Sequence, residues 1–120
     1  MNILIIEDEI LIQQSLKKLL EKRGASVSCS ANGKNAIQKI LTSQYDRIVC
    51  DLMLQDISGF DVIEESKKKY SLEDIAKKFL IITAYCSEQV LEKARHYNCK
   101  VLNKPFKNMN DALDTILTLD

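Results

Sequence analysis

The sequence has no tryptophan, one proline and three glycines among 120 residues. So little glycine and proline leaves no room for a flexible linker or a low-complexity segment. It also excludes the glycine-rich cradles for phosphate, since neither G-x-G-x-x-G nor a P-loop occurs. Net charge is absent too, because 17 basic and 17 acidic side chains cancel. Such a balance argues against a polybasic binder of nucleic acid or membrane surfaces, and no direct contact with either is expected. No apolar run approaches the roughly 18 residues that span a bilayer. The longest are strand-sized, such as Ile3–Leu4–Ile5–Ile6, and Met1–Asn2 lead into that run without a basic n-region. A soluble, cytoplasmic protein is therefore expected. The cysteines at 29, 50, 86 and 99 form no C-x-x-C pair, and reduced thiols in or near the core are expected. His96 and Cys99 have a spacing that could touch a metal on a helix, but they lack companion ligands, so a zinc site is not expected.

What is present suffices for one core. With 46% hydrophobic and 28% charged residues, the chain reads as a single domain over residues 1–120. The run from Asn2 to Ile6 has the mark of a strand buried on both faces, and it stops at Glu7–Asp8–Glu9. Ile12, Leu16, Leu19 and Leu20 then recur at helical spacing, with Gly24 as the expected C-cap. Ala25 to Ser30 is a less apolar strand, nearer an edge, and a helix after Asn32–Gly33 turns Ala36, Ile37, Ile40 and Leu41 inward. Ile48 to Cys50 is a third strand ending at Asp51, followed by a loop and a helix from about Asp61. Lys67–Lys68–Lys69 closes that helix as a solvated end, where cations suit the dipole. Tyr70 to Lys78 leaves room for an extra helical turn around Leu72 to Ala76. Phe79 to Ile82 is a fourth strand ending at Thr83, and a helix with Val90, Leu91 and Ala94 inward follows. A short strand near Lys100 to Leu102 ends at Asn103–Lys104–Pro105–Phe106, and Ala112, Leu113, Ile116 and Leu117 line a last helix. Tyr45, Tyr70 and Tyr97 read as amphipathic boundary residues, and His96 as a solvated one.

Strands that alternate with helices through short connections imply a doubly wound α/β fold: a parallel sheet with helices on both faces. Ligands of such sheets bind beyond the carboxyl ends of the strands. That rim receives Glu7 and Asp8 from strand one, Asp51 from strand three, Thr83 from strand four and Lys104 from strand five. Crowded carboxylates repel, and a hard divalent cation such as Mg²⁺ would relieve them. A cation, an ammonium and a hydroxyl donor around one carboxylate suit phosphoryl transfer, with that carboxylate as nucleophile.

The set Glu7–Asp8, Asp51, Thr83–Ala84 and Lys104–Pro105–Phe106, together with Asp51 through Ser58–Gly59–Phe60–Asp61, resembles the response-regulator receiver domains of two-component signalling, including chemotaxis-type regulators. The resemblance covers Met1 to about Leu119. It implies five parallel strands in order 2-1-3-4-5, a flavodoxin-like α/β/α sandwich. It implies that Asp51 accepts a phosphoryl group from a phosphohistidine on a sensor histidine kinase or histidine phosphotransfer protein. Asp8, Asp51 and the backbone carbonyl of Met53 would bind Mg²⁺ directly, and Glu7 through a water. Thr83 would bond a phosphoryl oxygen, Lys104 would pair with the phosphorylated aspartate, and the small Ala84 would leave room. A cis Lys104–Pro105 peptide is implied as well. The chain would be a phosphoacceptor rather than an enzyme.

Two positions depart from the family pattern. Gln55 stands where a proline often follows the phosphoacceptor, which predicts a looser loop. Val101 stands where an aromatic usually sits, so Tyr85 is expected to take part in the switch instead. The expected output surface is the helix after strand four, strand five and the last helix, including Val101 and Met109. Met53 and Tyr85 are expected to control water access to the phosphorylated aspartate. Neither is a general base, which predicts slow self-dephosphorylation. The leading expectation is a stand-alone regulator or phosphorelay shuttle, monomeric or weakly dimeric on phosphorylation. The alternative is the N-terminal receiver of a longer regulator with a DNA-binding or enzymatic output domain. A flavodoxin-like cofactor binder would need a Gly-, Ser- or Thr-rich loop after strand one. An aspartate-nucleophile phosphatase would carry its Asp-x-Asp there, and the chain has neither.

Overall fold

The computed structural model describes residues 1–119. The strands are β1 (Asn2–Ile6), β2 (Ser26–Ser30), β3 (Arg47–Asp51), β4 (Phe79–Thr83) and β5 (Lys100–Asn103). The helices are α1 (Ile10–Lys22), α2 (Gly33–Thr42), α3 (Gly59–Ser66), α4 (Leu72–Lys78), α5 (Glu88–His96) and α6 (Met109–Leu117). All strand pairs are parallel, in the order β2-β1-β3-β4-β5. The order reverses between β1 and β3, which pair from Ile3 with Arg47 to Ile6 with Cys50. Glu7 and Asp51 therefore leave the sheet side by side at the reversal, where such sheets open a crevice.

Alternation sorts the strand residues onto two cores. Leu4, Ile6, Ile48, Cys50, Phe79 and Ile81 meet Ala36 and Ile40 of α2 and Val62 and Ile63 of α3. Ile3, Ile5, Val49, Leu80 and Ile82 meet Leu16 and Leu20 of α1 and Leu113 and Ile116 of α6. Every one of those strand residues is at 0% exposure, and each such side chain contributes about 1.5–3 kcal/mol by burial. Hydrophobicity on both faces is what made β1, β3 and β4 read as uninterrupted apolar runs.

Several local expectations are corrected. The extra turn after α3 is a complete seven-residue helix, α4. Ser71 caps it, Glu73 and Asp74 occupy its first turn, and Lys77 and Lys78 its last, a charge order that suits the dipole. Ile75 is its one buried residue, too few to show a period. α3 begins at Gly59, two residues before Asp61, because Ser58 and Asp61 form a capping box. α1 ends with Arg23 as its C-cap, one residue before Gly24. Leu41 is 39% exposed rather than inward, and Leu91 is only half-buried. Tyr45, Tyr70 and Tyr97 are buried, not boundary residues, because cationic side chains cover two of their rings. Lys69 and Lys78 lie 5.4 and 5.1 Å from the Tyr70 ring, and Lys67 5.5 Å from that of Tyr97. The lysine run is accordingly more than a solvated end, since Lys69 also donates to the carbonyls of Ile40 and Ser43. All four cysteines are free; Cys50 and Cys99 are buried, Cys29 is half-buried and Cys86 exposed. Among the described residues no helix is long and apolar enough to cross a membrane.

Candidate functional site

The ends of four strands converge. Glu7 is 0% exposed, Asp51 2% and Thr83 1%, while Asp8 is half-buried. Burial of so many polar groups costs free energy unless each finds a partner. Lys104 supplies two of those partners. Its Nζ lies 2.9 Å from Glu7 Oε2 and 3.1 Å from Asp51 Oδ2. Asp51 Oδ1 accepts from the Met53 N–H at 3.2 Å, and Glu7 Oε1 from the Glu9 N–H at 3.1 Å. Gln13, on α1, donates to the Glu7 carbonyl at 2.9 Å. The Thr83 hydroxyl accepts from the Tyr85 N–H at 3.0 Å. The Lys104 N–H donates to the Thr83 carbonyl at 2.8 Å, and the Lys104–Pro105 peptide is cis as expected.

Glu7, Asp8 and Asp51 each offer an oxygen within 4.8 Å of the others. Burial above all, with Asp51's charge adding to it, lifts the Glu7 carboxyl from 4.5 to about 7, against the opposing hydrogen bond from Lys104. Burial would lower Lys104, but its bonds to Glu7 and Asp51 outweigh that and raise it, so the ammonium stays charged. A cleft of about 280 Å³ opens over the cluster, lined by Asp8, Glu9, Asp51, Met53, Gln55, Ala84, Tyr85 and Lys104. Hard oxygen donors at this spacing fit Mg²⁺, which takes one or two carboxylates and leaves positions for water and phosphoryl oxygens.

All the residues singled out at the rim thus meet, and Tyr85 and Met53, 67% and 60% exposed, flank the cleft. Val101 lies apart, half-buried on β5 against the core. Sequence reasoning passed over Glu9, whose Oε1 is 3.6 Å from Lys104 Nζ. Its signal was its place in the acidic triplet. Gln13 gave no signal, because an amide on a helix face looks solvated until its partner is known.

A family model described as the response regulator receiver domain matches residues 3–116. The chain belongs to that family. It is a receiver domain of two-component signalling. Similar proteins include the aerobic respiration control sensor protein ArcB of Escherichia coli K12, 31% identical over 108 residues, which are 88% of this chain and 13% of that protein. The transcriptional regulatory protein QseB of E. coli O157:H7 is 34% identical over 107 residues, covering 88% of this chain and 47% of its own. The receiver therefore spans less than half the length of either curated relative. A solved structure of the response regulator TrrA from Thermotoga maritima, in complex with Mg²⁺-BeF, superimposes with a TM-score of 0.77 at 25% identity, over 97% of this chain and 98% of that one.

Proposed function

We propose that this receiver accepts a phosphoryl group on Asp51 from the phosphohistidine of a sensor histidine kinase or histidine phosphotransfer protein. The observation that carries the reading is the pairing of Asp51 Oδ2 with Lys104 at 3.1 Å beneath an open cleft walled by Asp8 and Ala84. An Asp51 oxygen forms the new P–O bond while the P–N bond to the donor imidazole breaks. Asp8, Asp51 and the Met53 carbonyl are the residues that would hold Mg²⁺, with Glu7 acting through a water. The ion, when bound, would supply positive charge against the phosphoryl oxygens, and the similar TrrA structure was solved in complex with Mg²⁺-BeF. Lys104, bonded to Asp51 Oδ2, holds the carboxylate of the acceptor in place.

Thr83 is tied to the Tyr85 backbone. To donate to a phosphoryl oxygen its hydroxyl must turn its proton away from the Tyr85 carbonyl, now 3.3 Å away, which loosens the segment leading into α5. Phosphorylation thereby biases two arrangements of the chain. The surface that changes is α5, β5 and α6, including Val101 and Met109, and it meets a downstream protein rather than nucleic acid. Neither Met53 nor Tyr85 can act as a general base toward water, so loss of the phosphoryl group is slow. Slow loss suits a relay or a signal held until a phosphatase arrives.

Incubation with acetyl phosphate and Mg²⁺, followed by intact-mass measurement, tests the reading. Wild type should gain one phosphoryl group and Asp51→Asn none. Equal labelling of both would sink the assignment, and donor turnover without lasting label would favour a phosphatase.

A further inference from the structure

The loop from β3 to α3 carries Met53, and it has Gln55 where a proline would stiffen it. Contacts at its base, beside its tip and at its tip hold it without that proline. At its base the Gly59 N–H donates to the Leu52 carbonyl at 3.0 Å, and Met53 pairs with Ser58 in an isolated bridge. Beside its tip, Ile57 fills the space over Gly33, where a Cβ would stand 2.4 Å from Ile57 Cγ1. At the tip itself, Asp56 grips the first turn of α2. Its Oδ1 accepts from the Gly33 N–H and its Oδ2 from the Lys34 N–H, each at 2.9 Å.

Those two N–H groups are among the donors that a helix start leaves without internal partners. The Asn35 N–H is satisfied within the helix, by the Asn32 side chain at 2.8 Å. Asp56 therefore adds something Asn32 does not, a link between α2 and a loop over twenty residues further along. α2 is a firm anchor, since Ala36 and Ile40 lie in the core. Bonds from Lys34, then Gly33, hold the Asp56 carboxyl down at about 2, so it remains an anion and both bonds remain charge-assisted.

We propose that Asp56 is a positioning residue, which through its grip on α2 fixes the backbone of residues 53–57 and so sets how well the Met53 carbonyl serves the Mg²⁺ site. This rests on the reading of the Asp51 cleft given above. The link takes the place of the missing proline by immobilising the loop from outside rather than from within.

The test compares wild type, Asp56→Ala, Asp56→Asn and Asn32→Ala. Backbone amide shifts on Mg²⁺ titration and hydrogen exchange of residues 53–57 without metal are the readouts, with acetyl phosphate labelling at low and saturating Mg²⁺ beside them. Asp56→Ala should weaken Mg²⁺ binding roughly tenfold, the scale of losses when a group supporting a metal ligand is removed. It should also speed exchange in the loop, and slow labelling at low Mg²⁺ but not at saturation. Asp56→Asn keeps one acceptor and should fall between. Asn32→Ala should lower stability yet keep the Mg²⁺ affinity. Unchanged Mg²⁺ affinity in Asp56→Ala, or an equal loss in Asn32→Ala, would overturn the proposal while the reading of Asp51 stood. A wild type that binds no Mg²⁺ would overturn both together.

Discussion

On one wall of the cleft, Glu7, Asp51 and Lys104 are sunk into the sheet edge, and the loop after β3 is tied to α2, to α3 and to itself. On the other wall, Ala84 through Gln89 are all exposed, and the Thr83 hydroxyl holds their start through Tyr85. On the function proposed above, the two walls have different tasks. Charges that must sit a few ångströms from one another in a partly dry site need many anchors, since a misplaced buried charge is costly. A segment that must change state needs few, because only weakly held segments open at small free-energy cost. Substitutions should therefore act on chemistry and stability at the first wall, and on timing alone at the second.

The largest expected effect is at Asp51. Asp51→Asn keeps the shape of the first wall and removes the proposed nucleophile, so phosphoryl labelling should vanish while urea unfolding shows a folded protein. Gly59→Ala strikes the same wall sterically. A Cβ there would lie 2.4 Å from the Asp51 carbonyl oxygen and 2.9 Å from Leu52 Cα, both backbone atoms that cannot swing aside. A loss of about 1–3 kcal/mol in urea unfolding is expected, the usual cost of overpacking. A loss near zero would mean that the first wall is softer than its contacts imply.

The third effect is a pH dependence. With chelator present, the folded-state carboxyl of Glu7 titrates at about 7 against 4.5 for its ordinary value. Between those two pH values the folded chain binds more protons at this position than the unfolded one. Its contribution to stability is thus complete below pH 4.5 and is lost as pH rises through 7. Urea unfolding of wild type and Glu7→Gln across that window should show the wild type losing stability relative to the variant. A constant difference would mean that Glu7 is ionised throughout. The smallest effect belongs to the second wall. Tyr85→Ala removes a side chain that is 67% exposed, so stability should stay within about 0.5 kcal/mol. Decay of the phosphorylated protein should nevertheless be faster, and Met53→Asn, at the exposed edge of the first wall, should act in the same direction. Unchanged decay in both variants would remove these side chains from control of the lifetime.

Neither wall was fully legible in advance. Cys86 was expected with the other cysteines in or near the core and is exposed, because a single cysteine in a loop carries no period that assigns it to a face. The grip of Asp56 on α2 could not be read either, because Asp56 sits in a turn-like stretch where an acid is ordinary. Tyr97 illustrates the same limit. Its hydroxyl donates to Glu64 Oε2 at 2.5 Å, its ring stacks on Phe60 with centroids 6.2 Å apart, and it is buried as a result. A tyrosine just past a helix end reads as a boundary residue until α3 is known to lie against it.

Local pattern sufficed for the strands. Unbroken apolar runs at Ile3–Ile6, Ile48–Cys50 and Phe79–Ile82 suit strands buried on both faces of a covered parallel sheet, and each run is followed directly by a residue of the buried polar cluster at the rim. That Glu7, Asp8, Asp51, Thr83 and Lys104 share one rim was thus contained in the sequence, given parallel strands. The tertiary structure alone decided how they meet there. Lys104 lies 97 positions from Glu7 and 53 from Asp51, yet bonds both, and Asp56 reaches α2 across 23. Periodicity records which face of an element is apolar, whereas such pairings depend on where whole elements come to rest against one another.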